Sequence, residues 1–175
     1  MEPQPAQSQG ELVLPPRPAI PLRFDSRAEY ACGVMLEKFV PDFQLVMRET
    51  LQIPVGFGKT IDFKVQGVFI EYHPCSIHHE FDNRSALREL LDVLKRLKPH
   101  QRDIIRASIE DELHEKYCRR RKFLLTATVG KDAELIVCRN QDDFYTAVIK
   151  RFGISYPQLK EFRREFQRYL DGKIS

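Results

Sequence analysis

Asp62 and Glu71 lie in the stretch Thr60-Ile-Asp-Phe-Lys-Val-Gln-Gly-Val-Phe-Ile-Glu-Tyr-His73, which has the pattern of a β-hairpin. With Gln66-Gly67 as the loop, Val65 pairs with Val68, Phe63 with Ile70, and Asp62 falls directly opposite Glu71. Opposed residues hold their β-carbons ~4.5–5.5 Å apart, so the two carboxylates repel unless a cation compensates them. Their oxygens are hard ligands of the kind that suit Mg²⁺ or Mn²⁺, ions that acidify a bound water. The same register sets Thr60 opposite His73. It puts Asp62, Glu71 and His73 on one face and Ile61, Phe63, Val65, Val68, Ile70 and Tyr72 on the other. Lys64 joins the Asp62 face by alternation. Removing either acid should relieve repulsion and leave the fold intact or slightly stabilised. The alternative is a solvent-facing strand pair whose polar face carries acids.

Two further groups carry chemistry. Cys75 and His78 could join His114 and Cys118, which fall four apart on one helical face, around a structural Zn²⁺; ordinary core and surface residues are the alternative. Lys116-Tyr-Cys-Arg-Arg-Arg-Lys122 is a dense basic run, and its Tyr117, Arg120 and Arg121 are candidates for contacting phosphate, or else belong to a solvated helix end. Lys160, Arg163, Arg164 and Arg168 make a second basic cluster, readable equally as a solvated helix face.

Several elements must position these residues. Ser26 caps a helix that runs to about Phe39, and Glu29, three residues on, suits the return bond of a capping box. Phe43–Val55 reads as extended, followed by a Gly56-Phe-Gly58 turn and then the hairpin. Leu87, Leu90, Leu91, Leu94 and Leu97 recur at helical spacing, and Pro99 opens a second helical run, giving a helical hairpin or a kinked long helix. Phe123–Val129 and Glu134–Cys138 read as strands and Asp142–Phe152 as a helix stopped at Gly153. Tyr156–Leu170 reads as a last amphipathic helix with Leu159, Phe162, Phe166 and Leu170 inward.

At 175 residues, 42% hydrophobic and with net charge +3, the chain has the composition of a globular protein whose basic character is local. Residues 1–22, with Pro3, Pro5, Pro15, Pro16, Pro18 and Pro21, read as a flexible leader. The organisation expected is that leader, a folded domain over 23–153, and an amphipathic helix over 154–175. No apolar run approaches the ~18 residues of a membrane span, and no basic-then-apolar signal opens the chain, so a cytoplasmic address without membrane partners is expected. Cys32, Cys75, Cys118 and Cys138 are scattered singly, which argues against a disulfide framework. The leader and the last helix are candidate docking elements for a protein partner or a second copy; a plain tail and a core-covering helix are the alternatives.

Ser26-x-x-Glu29, Ile61-Asp-Phe63 and Phe69-Ile-Glu-Tyr-His73, in that order, resemble the PD-(D/E)xK or restriction-endonuclease-like nuclease superfamily. Within it the chain resembles the small enzymes related to very-short-patch mismatch-repair endonucleases, over roughly residues 25–152. Tyr117-x-x-Arg120-Arg121 and Glu134-Leu-Ile-Val-Cys138 look like that group's basic helix and following strand. The resemblance implies an α/β fold with a mixed β-sheet flanked by helices. It implies an endonuclease that hydrolyses phosphodiester bonds of DNA, RNA being a further possible substrate, with Asp62, Glu71 and the Tyr72 carbonyl holding Mg²⁺ or Mn²⁺. Glu29 would stand near the metal through a water. His73 occupies the place of the superfamily's Lys, as a protonated cation or a neutral general base, and Lys64 is a possible substitute. A catalytically degenerate nuclease-like domain that binds nucleic acid or protein is the competing reading.

Overall fold

The computed structural model describes residues 26–40, 43–45, 61–80 and 83–172. The expected leader, the Gly56-Phe-Gly58 turn, Thr60 and most of the 43–55 segment lie outside the described residues.

The fold is α/β. Helix α1 (Arg27–Phe39) starts where the Ser26 side chain accepts from the Glu29 amide at 3.1 Å, and buries Ala31, Cys32, Met35, Leu36 and Phe39 along one stripe. Strands β1 (Gln44–Leu45), β2 (Phe63–Val65) and β3 (Val68–Tyr72) are antiparallel neighbours. The expected register holds, with Val65 against Val68 and Phe63 against Ile70. Gln66 at φ 48° and Gly67 at φ 86° place both loop residues in the left-handed region that a tight two-residue hairpin turn requires.

Beyond β3 the chain forms α2 (Ile77–Glu80), α3 (Arg84–Arg96) and α4 (Pro99–Val129) before returning as β4 (Leu135–Cys138), parallel to β3. The sheet is mixed and four-stranded, in the order β1-β2-β3-β4. Asn83 caps α3 by accepting from the Ser85 and Ala86 amides. Leu97 and Lys98 are extended ahead of Pro99, as a residue preceding proline must be, and this separates α3 from α4.

One expected strand is a helix. Phe123–Val129 continues α4, which is 31 residues long and ends only where Gly130 adopts φ 127°. The β-branched Thr126, Thr128 and Val129 favour a strand locally. Burial of Arg121 and Leu125, one helical turn apart, against the sheet outweighs that preference.

After β4, Asn140 caps a helical run made of α5 (Gln141–Phe144), a π-helical stretch (Tyr145–Ile149) and α6 (Lys150–Phe152), ending at Gly153. Helix α7 (Leu159–Leu170) packs on α1. Phe162 and Phe166 are fully buried in the same core as Cys32, Met35, Phe63, Ile70, Phe144 and Val148, so α7 is part of the domain core and not an addition to it. Lys38 pairs with Glu165 at 2.5 Å and Arg163 with Asp142, so at least one member of the second basic cluster is held in an ion pair.

The other side of the sheet carries a smaller core of Ile61, Phe69, Leu125 and Ala133, roofed by α4. Both faces are therefore covered, and the face expected to be polar lies under a helix.

Candidate functional site

The site begins where the β2–β3 ladder stops. In a continued antiparallel ladder the Tyr72 amide would go to the Ile61 carbonyl, since Phe63 and Ile70 form a mutually bonded pair. It donates instead to Asp62 Oδ2 at 2.8 Å. The carboxylate thus replaces a main-chain acceptor and the backbone leaves the regular pleat. Ile61 consequently packs with Phe69 and Leu125, not with Phe63 as strict alternation predicted. Asp62 is held at the end of the hairpin, beside the segment that carries Glu71.

Glu71, on β3, points at α4. It is only 5% exposed, and Arg121 only 4%. Arg121 Nε donates to Glu71 Oε2 at 2.7 Å, and the Tyr117 hydroxyl donates to Oε1. Tyr117 and Arg121 are one turn apart on α4, so both reach the same carboxylate. His73, just past β3, stacks flat on the Tyr117 ring with centroids 3.7 Å apart and planes within 1°, and its amide donates to the Cys138 carbonyl at 2.8 Å.

Electrostatics mark Asp62 as the unusual acid. Burial pushes its carboxyl up to about 8; the Tyr72 hydrogen bond opposes this, and the charges of Glu71 and Glu29 add to the rise, with Arg121 pulling slightly back. Burial and the Glu71 charge likewise raise the Tyr117 phenol, which stays a hydrogen-bond donor. Two further carboxylates thus act on Asp62, with Arg121 as the buried cation among the described residues. Glu29 plays two parts: its amide receives the Ser26 cap, and its carboxylate acts on Asp62.

The residues here offer oxygens of the type a hard divalent cation takes, with both Glu71 oxygens engaged by Tyr117 and Arg121. Asp62 and Glu71 supply carboxylate oxygens, the Tyr72 carbonyl follows Glu71 along the strand, and Asp62 is a carboxylate that its surroundings keep from ionising at neutral pH. Among the described residues no three His, Cys, Asp or Glu side chains already form a metal cage.

The other candidates are placed as follows. The Lys64 ammonium lies over the Phe69 ring, 5.0 Å from its centroid. Arg120, next to the buried Arg121 in sequence, is exposed on α4. The basic run is in mid-helix and not at a helix end, because α4 continues to Val129. Cys75, His114 and Cys118 do meet: Cys75 Sγ is 3.5 Å from His114 Nδ1 and Cys118 Sγ 3.3 Å from His114 Nε2, while His78 is exposed. The thiols approach opposite ring nitrogens, so this placement does not offer one ion all three ligands.

The ion pair of Arg121 with Glu71 is what sequence reasoning missed. Its signal was the spacing of His114, Tyr117, Cys118, Arg121 and Leu125, one continuous helical stripe that a strand beginning at Phe123 interrupts. Comparison of the chain with protein-family models, with curated proteins and with solved structures gives no match.

Proposed function

We propose that this chain is a divalent-metal-dependent endonuclease with a restriction-endonuclease-like core, hydrolysing phosphodiester bonds of DNA. The observation that carries the reading is the juxtaposition of Asp62 and Glu71 at the end of the hairpin, with Asp62 pushed up to about 8 by burial and by its acidic neighbours. Buried acids held beside one another at the end of a hairpin are what a cation site requires. The helix-covered mixed sheet supports the fold assignment, since it is the arrangement that the resemblance implies.

In this reading Asp62, Glu71 and the Tyr72 carbonyl would hold Mg²⁺ or Mn²⁺, with Glu29 as a further acid whose charge acts on Asp62. The bound ion would lower the pKa of a water and offset charge on the phosphate. The chain's own residues do the rest. Tyr117 and Arg121 fix the Glu71 carboxylate from both oxygens, and the Tyr72 amide fixes Asp62. His73, oriented by its stack on Tyr117, stands at the end of the strand where it can accept the water's proton or act as a cation. The exposed basic side of α4 offers charge to the nucleic-acid backbone.

The test is nicking of supercoiled DNA with Mn²⁺ or Mg²⁺ by the wild type, Asp62→Asn and Asp62→Ala. Cleavage by the wild type alone supports the reading, and equal cleavage by all three removes it.

A second reading is a catalytically degenerate nuclease-like domain that binds nucleic acid or a protein. The closed Arg121–Glu71–Tyr117 arrangement and His73 in the place of Lys favour it. DNA binding without nicking, together with a flat Mn²⁺ titration, would select it. No helix among the described residues is long and apolar enough to cross a membrane.

A further inference from the structure

The cysteines fall into two kinds. Cys32 and Cys138 lie inside the core, where burial pushes the first well above its ordinary value and the second up to about 12, so both stay thiols. Cys75 and Cys118 are half-buried and approach the opposite nitrogens of one imidazole: Cys75 Sγ is 3.5 Å from His114 Nδ1, and Cys118 Sγ is 3.3 Å from His114 Nε2. Independently of the nuclease reading, we propose that Cys75 is a thiolate set between His114 and Arg139 and that a hydroperoxide oxidises it, which makes the segment between β3 and α2 a reversible modification site.

The ring decides which sulfur carries the charge. Burial and then the Arg139 charge push His114 down, with His73 adding to the fall and Asp143 and Asp111 opposing it, so the imidazole is neutral at pH 7. A neutral imidazole has one acceptor nitrogen and one donor. Burial and the Glu71 charge raise Cys118, with Glu115 adding and Arg139 opposing, so it remains a thiol and donates its S–H to Nε2. The ring proton is then on Nδ1, which donates to Cys75 Sγ. Arg139, raised chiefly by its hydrogen bond to Asp111, also interacts favourably with the Cys75 charge. Cys75 thus meets an N–H donor on one side and a cation on another, the surroundings that hold a thiolate. Exposed Pro74 beside the half-buried Cys75 leaves the segment open to a small oxidant.

The Cys75 sulfur attacks the terminal oxygen of the peroxide. An S–O bond forms while the O–O bond breaks, its electron pair going to the departing oxygen, which takes a proton from solvent. Sulfur is oxidised by two electrons to the sulfenic acid, and the peroxide is reduced to water or an alcohol. Added thiol returns Cys75 to its resting state through a mixed disulfide. His114 and Arg139 are positioning residues here: they hold the charge on Cys75 and exchange no atoms with the oxidant.

The test treats the full chain with iodoacetamide at pH 7 and, separately, with hydrogen peroxide in the presence of dimedone, following each cysteine peptide by mass spectrometry. Cys75 should be alkylated about tenfold faster than Cys118, which is also half-buried, and should alone carry dimedone. Thiolate absorbance in the ultraviolet at pH 7 should be present in the wild type and absent from Cys75→Ser. His114→Gln should weaken that absorbance and slow Cys75 alkylation by about tenfold. Arg139→Gln reads the same effect without touching the ring, with a fall of about threefold. Equal rates at Cys75 and Cys118 overturn the proposal, as does a folded His114→Gln or Arg139→Gln whose Cys75 reacts as in the wild type. One equivalent of zinc in the purified chain, whose removal frees both thiols to react, overturns it as well.

Discussion

Arg121 Nε donates to Glu71 Oε2 at 2.7 Å across the interface between α4 and β3, and both side chains are almost entirely withdrawn from water. Removing one member of such a pair strands the other charge in the interior, which costs about 3–5 kcal/mol. Glu71→Ala should therefore lower the melting temperature markedly. This reverses the sequence-based expectation that relief of repulsion leaves the fold intact or slightly stabilised. Denaturant melts of Glu71→Ala beside Glu71→Gln, which keeps one oxygen acceptor and the side-chain volume, will check it, and the glutamine variant should be the milder of the two.

Asp62 behaves in the opposite sense. Its folded value of about 8 lies above the ordinary carboxylate value, so the folded chain keeps a proton that the unfolded chain releases. The contribution to stability is full below about pH 4 and is lost as pH rises toward 8, at no more than about 1.4 kcal/mol per pH unit. Asp62→Asn, whose side-chain oxygen can still accept the Tyr72 amide, should be flatter over that window and more stable than wild type at its upper end. Urea unfolding at pH 5, 6, 7 and 8 measures both slopes, and parallel slopes would contradict the assignment.

The same proton must leave when a cation takes Asp62. Mn²⁺ affinity should rise with pH up to about 8, and the heat of binding should depend on the ionisation enthalpy of the buffer. Calorimetry in two buffers at pH 7 detects the released proton, and Asp62→Asn should abolish both effects.

On the outer face of α4, Lys116, Arg119 and Arg120 follow one another at helical spacing with Phe123, which is 72% exposed. Arg119→Ala with Arg120→Ala should weaken DNA binding across sequences and reduce the salt slope by roughly 0.9 for each phosphate the double variant no longer neutralises. Binding isotherms at four salt concentrations decide it. An unchanged slope would make this face merely solvated.

His73 offers a kinetic test. As a neutral base it makes the nicking rate rise with pH, whereas as a cation it makes the rate fall, and His73→Lys then improves cleavage at alkaline pH. Rate profiles of the wild type, His73→Lys and His73→Ala separate the two. A His73→Ala profile identical to wild type excludes both roles and leaves Lys64 as the next candidate.

The hairpin was legible in the order of residues because everything that sets it is local. Apolar alternation, Gln66-Gly67 at the turn and the two-residue period of a strand fix which side chains share a face, and the pairing of Phe63 with Ile70 follows. The Ser26 cap of α1, the break at Pro99 and the buried Phe162 and Phe166 of α7 are likewise short-range patterns. What covers Glu71 was not legible. Arg121 lies 50 residues further along the chain, and its inward direction depends on α4 running unbroken through Phe123–Val129, a stretch whose own composition favours a strand. Local propensity there amounts to tenths of a kilocalorie per residue. The burial of Leu125 against Ile61 and Phe69, together with an ion pair in the interior, outweighs it, and those contacts exist only once the sheet has formed beneath the helix.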